Sequence, residues 1–167
     1  MDDGFSELEH NAWGGFLGTY ARMYRLIEAD LQDHSRITHV ELEVLLRLSR
    51  EESHRLRIQE LATRSILTLS GVSRVVERLE KAGLVTREAA SEDRRGAYAV
   101  LTEAGAARFR AAAKAHVAFV RQHFLSLFTD QELEQMAGFW KRVEEHDHAT
   151  DGRLPSSEPD RNQRKRV

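Results

Sequence analysis

The chain has 167 residues, 41% hydrophobic and 31% charged, enough apolar content for one buried core and enough charge to keep it soluble. It has no cysteine, which excludes a disulfide scaffold, a thiolate metal site, a cysteine nucleophile and a thiol redox sensor. The net charge of -2 argues against a uniformly basic coat for nucleic acid.

The charge is unevenly spread. Residues 1–54 carry 5 basic and 11 acidic side chains, whereas residues 55–95 carry 9 basic and 6 acidic. A locally basic centre is what phosphate binding needs, although random surface scatter would also produce one. No apolar run approaches the ~18 residues of a membrane span, and the acidic start MDDGFSELEH has no secretory h-region. The two prolines, Pro155 and Pro159, leave the first 154 residues free to be helical. The expectation is a soluble, cytoplasmic, helix-rich protein.

Apolar residues at Trp13, Phe16, Leu17, Tyr20, Met23, Tyr24, Ile27 and Leu31 have the spacing of one amphipathic helix. Its start is blurred by Gly14, Gly15 and Gly18. Thr38 and Glu41 form a capping box that opens a second helix carrying Leu42, Leu45, Leu46 and Leu48. A short helix is predicted over 58–65. Ile66 and Leu67 then lead to Thr68, the N-cap of a helix that runs to about Ala82 and is stopped by Gly83. Its buried positions are Val72, Val75, Val76 and Leu79.

The period then changes. Leu84–Arg87 and Ala97–Leu101 are β-compatible and flank the charged stretch 88–96, so a two-stranded hairpin is predicted. Thr102 caps the next helix, whose apolar stripe is read from Phe109 through Phe124 to Leu127. A second capping box, Thr129 with Glu132, opens a helix with Leu133, Met136, Trp140 and Val143. From about residue 150 the composition turns to Pro, Ser, Asp and Arg, the signature of a disordered tail over 150–167.

Two helices joined by a tight turn and followed at once by a charged hairpin make a winged helix-turn-helix. With its valines inward, the second helix presents Ser70, Ser73, Arg74, Arg78 and Lys81. Ser70, Ser73 and Arg74 lie at the end that reaches base edges, and Arg74 can pair bidentately with guanine. Arg78 and Lys81 are better placed for phosphates. In the hairpin loop, Arg94 or Arg95 suits a narrow minor groove, and Asp93 can hold Arg95 in a bidentate pair that shapes the wing.

At these residues the chain resembles the multiple antibiotic resistance regulator (MarR) family of bacterial transcription factors. The landmarks are IQELA at 58–62, VSRVVERLEKAGLVTR at 72–87 and EDRRGAYAVLTEAG at 92–105. The wing pattern Asp-x-Arg followed by Leu-Thr is met by Asp93, Arg95, Leu101 and Thr102. The resemblance covers roughly residues 12–147. It departs from the family at Arg57, where a Ser or Thr cap is common, and at Leu69 and Gly71, where polar residues are common. Fewer bases would then be read by hydrogen bonds.

The resemblance implies a mainly α fold: a winged helix-turn-helix over 38–101 with dimerisation helices at 12–35 and 102–148, all one domain over 1–149. It implies an obligate homodimer on a pseudo-palindromic operator, probing double-stranded DNA and, as the family commonly does, releasing it on binding a small-molecule effector. The apolar stripes along the outer helices independently ask for a covering partner. Ala12-Trp13-x-x-Phe16-Leu17 resembles the branch that responds to urate and related anions. In that branch the site would be lined here by Trp13, Glu43 and Arg95, with Glu43 where aspartate is usual. With that departure urate itself is a weaker match, an anionic aromatic ligand is chemically reasonable against Trp13 and an arginine, and plain interface packing is the simpler role for Trp13.

The alternatives belong to other classes. A zinc sensor would have to draw on the eight histidines, of which His116 and His123 are seven apart, but three or four converging ligands are not identifiable. A winged-helix architectural module would need no effector. No hydrolase, Walker or dinucleotide motif is present, so neither enzyme activity nor a cofactor is expected.

Overall fold

The computed structural model describes residues 4–65, 67–90 and 96–149, with side chains through His146. Asp93, Arg94, Arg95, Ile66 and the expected tail at 150–167 lie outside the described residues. The chain divides into two compact units, Met1–Gln122 and His123–Val167, and each is described by itself.

The first unit begins with α1, Glu7–Ser35. The helix starts earlier than the apolar pattern indicates, because Ser6 and Glu9 form a capping box ahead of the glycines: Ser6 N–H donates to Glu9 Oε2 at 2.8 Å. It ends at Arg36, whose backbone is left-handed (φ 53°), and Arg108 donates to the Ser35 carbonyl at 2.8 Å to satisfy that end. The next helix, α2, spans His39–Arg50 and uses the Thr38–Glu41 box read from the sequence. Another N–H at this helix start, that of His39, donates to Glu28 Oε2 of α1 at 2.8 Å.

Strand β1, Arg55–Arg57, precedes α3, Ile58–Thr63, and α4, Leu69–Lys81. The stop at Gly83 (φ 71°) has the Schellman pattern: Leu84 N–H donates to Leu79 O, and Gly83 N–H to Glu80 O, both at 2.9 Å. Strands β2, Val85–Ala89, and β3, Ala97–Leu101, form the wing, and α5, Glu103–His123, follows. The sheet has three strands in the order β1-β3-β2, all antiparallel, where two were expected. Leu56 pairs with Ala99 and Val85 with Leu101. A three-residue strand with one apolar position between two arginines has too little alternation to be read locally.

The core is the winged helix-turn-helix itself. Leu45, Leu48, Leu61, Val72, Val76 and Ala99 are wholly buried, and Leu31 of α1, Ile37 of the link to α2 and Ala112 of α5 join them. Leu31 and Ser35 are the buried residues of α1, and Gly105 and Ala112 those of α5. The stripe read from Phe109 to Leu127 is shorter than expected as helix, since α5 stops at His123.

In the second unit a 3-10 turn, Leu125–Leu127, leads to α6, Asp130–Ala149. The turn replaces the last helical positions predicted for Phe124 and Leu127. Phe124 meets Phe128 edge-on at 5.2 Å. Thr129 and Glu132 form the expected capping box, with Thr129 N–H donating to Glu132 at 2.8 Å. Phe139, Trp140 and Val143 of α6 are all exposed in the single chain.

Gly105 allows α5 to start hard against the turn after α4. A Cβ there would run into the Leu84 carbonyl oxygen and come within 2.8 Å of Leu101 Cδ1. Because the obstacle is backbone, Gly105→Ala is expected to destabilise the chain by about 1–3 kcal/mol. Urea unfolding checks this, with the midpoint moving down.

Candidate DNA-binding site

Helix α4 owes its orientation to a strict division of its surface. Val72, Val75, Val76 and Leu79 are buried, and the opposite face carries Ser70, Arg74, Glu77 and Lys81 at helical spacing, all exposed. Thr68 Oγ1 accepts from Gly71 N–H at 3.2 Å and lies 3.1 Å from Ser70 Oγ, so the Ser70 hydroxyl is held at the cap. Ser73 is half-buried. Arg74 has no hydrogen bond or ion pair among the described residues.

The two residues assigned to phosphates prove less free than Arg74. Lys81 donates to Glu77 Oε1 at 2.7 Å, and that hydrogen bond holds the Glu77 carboxyl below its usual range. Arg78 Nε donates to Glu41 Oε1 at 2.9 Å, tying α4 to the start of α2. Glu41 is nearly buried, with 8% exposed, so Arg78 is a structural tether whose terminal nitrogens alone could turn outward.

A residue that sequence reasoning passed over, Arg87, locks the wing to this helix. From β2 its Nη2 donates to the Ser73 carbonyl at 2.9 Å, and its Nε lies 3.3 Å from Glu80 Oε2. Its position two residues after Val85, whose side chain is buried, puts both on the same face of the strand and was the available signal. On the outer face, Arg55 stacks over the Tyr98 ring at 3.9 Å and Arg57 Nε donates to Tyr98 Oη at 3.2 Å. The Arg57 bond draws the Tyr98 hydroxyl below its ordinary pKa. Arg57, the helix cap flagged as atypical, makes no side-chain capping bond to α3. Among the described residues, the wing's last bond towards the loop is Ala90 N–H to Gly96 O at 3.0 Å.

The three residues expected to line a ligand site fare differently. Arg95 is outside the described residues. Trp13 is half-exposed and starts a ladder of rings along α1: Trp13 on Phe16 at 5.7 Å, Phe16 on Tyr20 at 6.4 Å, Tyr20 on Tyr24 at 6.0 Å. The ladder passes to His39 of α2 at 5.4 Å and on to His116 of α5 at 6.1 Å. Glu43 accepts from Arg47 at 2.5 Å and lies near Tyr24, the far end of the α1 ladder, whose hydroxyl is pushed up by burial and then by Glu28, Tyr20 and Glu43. Tyr24 is ~16 Å along the helix from Trp13. No hydrogen bond, ion pair or ring contact joins Trp13 to Glu43 within one chain.

Along α2, His39, Glu43 and Arg47 recur every four residues, and two atoms beside this edge are buried without a partner: Arg47 Nε and His116 Nδ1. The His116 ring that carries one of them lies 6.1 Å from the His39 ring. Among the described residues no group of three or more His, Asp or Glu could hold a metal ion, and no helix is long and apolar enough to cross a membrane.

A second helix packed across a first, backed by a three-stranded wing and presenting an unpaired arginine, defines a winged helix-turn-helix transcriptional regulator. The MarR family model matches residues 37–96. The structure of AbsC, a MarR family transcriptional regulator from Streptomyces coelicolor, is 36% identical over 87% of this chain and 97% of its own, with a TM-score of 0.79. Sco3205, another MarR family regulator from S. coelicolor, solved in complex with DNA, is 30% identical over 85% of this chain and 89% of its own, with a TM-score of 0.80. The chain belongs to the MarR family. The organohalide-sensing RdhR-CbdbA1625, solved with 2,4-dichlorophenol, shares the fold at 19% identity over 87% of this chain and 85% of its own, with a TM-score of 0.73. No curated protein sequence matches the chain.

Arg87→Ala is expected to lower stability by about 1 kcal/mol, since a charged hydrogen bond is lost at a half-exposed site. Amide exchange in β2 and at the end of α4 should speed up without change in α2, and hydrogen exchange read by mass spectrometry tests this. His116 gives a pH signature. Burial, then the charge of His39, lowers its pKa from 6.5, against a smaller opposing effect of Asp30. The unfolded chain therefore takes up the proton first, so stability is full above about 6.5 and is lost as the pH falls below it. In His116→Leu the urea midpoint should depend less on pH across that window.

Proposed function

We propose that this MarR-family protein is a homodimeric repressor in the cytoplasm that reads a pseudo-palindromic operator and is released by a small, anionic aromatic molecule. The observation that carries the DNA reading is the state of Arg74: exposed, unpaired among the described residues, and in the second turn of a helix whose opposite side is wholly buried. In this reading Arg74 pairs with guanine, with Ser70 and Ser73 beside it. Lys81 and the free end of Arg78 approach phosphates, Arg94 and Arg95 enter the minor groove, and Asp93 shapes the wing. Residues 1–149 act as one functional domain, with α1, α5 and α6 forming the dimer interface.

Two features support the finer parts. Trp13, Phe16, Leu17 and Tyr20 of α1 and Phe139 and Trp140 of α6 are 41–55% exposed in the single chain, more apolar surface than a monomer leaves in water. The unpartnered Arg47 Nε and His116 Nδ1 would be satisfied by a ligand carrying acceptor atoms, and a protein of the same fold holds a chlorinated phenol. The effector site then combines the edge of α2, with Glu43, and the aromatic ladder from Trp13. Arg95 joins it from the wing, and Trp13 from the partner subunit is the simplest way to reach Glu43.

Selection from random duplex DNA tests the whole reading. A pseudo-palindromic consensus is expected, and Arg74→Ala should lose roughly 1–3 kcal/mol and relax preference at one base of each half-site. Aromatic carboxylates and phenols added to the wild-type complex should weaken it. Salt-steep binding with no consensus would replace the regulator reading with an architectural one.

A further inference from the structure

The apolar residues of α4 are buried with one exception. Leu69, its first residue, is 49% exposed. The fold does not use it. The cap is made by Thr68 and Gly71. The residue before the cap that packs against the core is Leu67, and the core there includes Val72; Leu67 and Val72 are the two positions of a hydrophobic staple. Leu69 lies outside both devices, one turn before Ser73.

The neighbours of Leu69 are otherwise engaged. The Ser70 hydroxyl is held by Thr68, and the Ser73 carbonyl is held by Arg87. Across the first two turns, Leu69 and Arg74 are the exposed side chains that nothing in the fold occupies. First-turn residues of a recognition helix reach base edges. The apolar feature that a base edge offers in the major groove is the C5-methyl group of thymine.

We propose that Leu69 is a specificity-determining residue that packs on the methyl group of one thymine in each operator half-site. The inference rests on the DNA reading above. Leu69 and Arg74 are five positions apart on the helix, ~7.5 Å of rise, so the thymine falls within about two to three base pairs of the guanine read by Arg74. Such a half-site is read partly by shape and apolar contact where hydrogen bonds are fewer.

The test uses the full chain and the consensus operator returned by selection, with each thymine of a half-site replaced in turn by uracil, which lacks only the methyl group. At one position the replacement should weaken wild-type binding about fourfold, the equivalent of ~0.8 kcal/mol for one buried methyl. Leu69→Ala should bind the thymine operator more weakly and no longer distinguish uracil from thymine there. Leu69→Met, still apolar and of similar size, should keep the distinction. If Leu69→Ala retains the wild-type uracil penalty at every position, or if no position shows a penalty, the assignment is overturned while the regulator reading stands. A selection that returns no consensus overturns both.

Discussion

The carboxylate of Glu41 is the interaction on which the arrangement of this molecule turns. One oxygen accepts from the Thr38 N–H at 2.8 Å and completes the N-terminal cap of α2; the other accepts from Arg78 at 2.9 Å. Such a nearly buried charge is tolerable only because both oxygens are met by donors. The result is that the helix buried deepest in the core and the helix aimed outward share one anchor. Glu28 adds a second tie at the same place, taking the His39 N–H, so α1 is fastened to the same helix end.

This anchoring explains how the exposed surface of α4 is apportioned. One flank of α4 is tethered to α2 through Arg78, and the other to the wing through Arg87, leaving the ridge between them exposed. A rigid platform with few unoccupied side chains suits sequence reading, because a contact that must first break an internal bond loses much of its worth. Arg74 and Leu69 escape both tethers. The charged side chains on the same helix that look equally available in the sequence are mostly partnered within the fold.

Beside the same end of α2, the ring ladder from Trp13 through Tyr24 reaches His39 and His116, and two buried nitrogens along this edge, Arg47 Nε and His116 Nδ1, have no partner. A molecule seated there would touch the helix whose N-terminus Glu41 and Arg78 connect to α4. A ligand that favours one placement of α2 over another would thereby bias the spacing of the recognition helices by its difference in affinity for the two states. In the homodimer proposed above, a two-fold partner is what makes that spacing matter.

Periodicity and caps determined most of the elements. The Thr38–Glu41 and Thr129–Glu132 boxes, the valine face of α4 and the Gly83 stop are local devices, each complete within a few residues, and they were legible as written. So were the winged helix-turn-helix order and the face that carries Arg74. What the sequence could not disclose depended on contacts between distant residues. Strand β1 exists because β3 pairs with it. Gly105 matters because α5 meets the backbone at Leu84. Arg78 gained a tether through its Nε because Glu41, 37 positions earlier, lies beside it. Arg87 gained its place because a strand brought it against Ser73, and Trp13 and Glu43 stayed apart because one long helix separates their neighbours. Short-range hydrogen bonding and hydrophobic spacing are encoded along the chain, whereas the partner of a long charged side chain is chosen only when folding brings separate elements together.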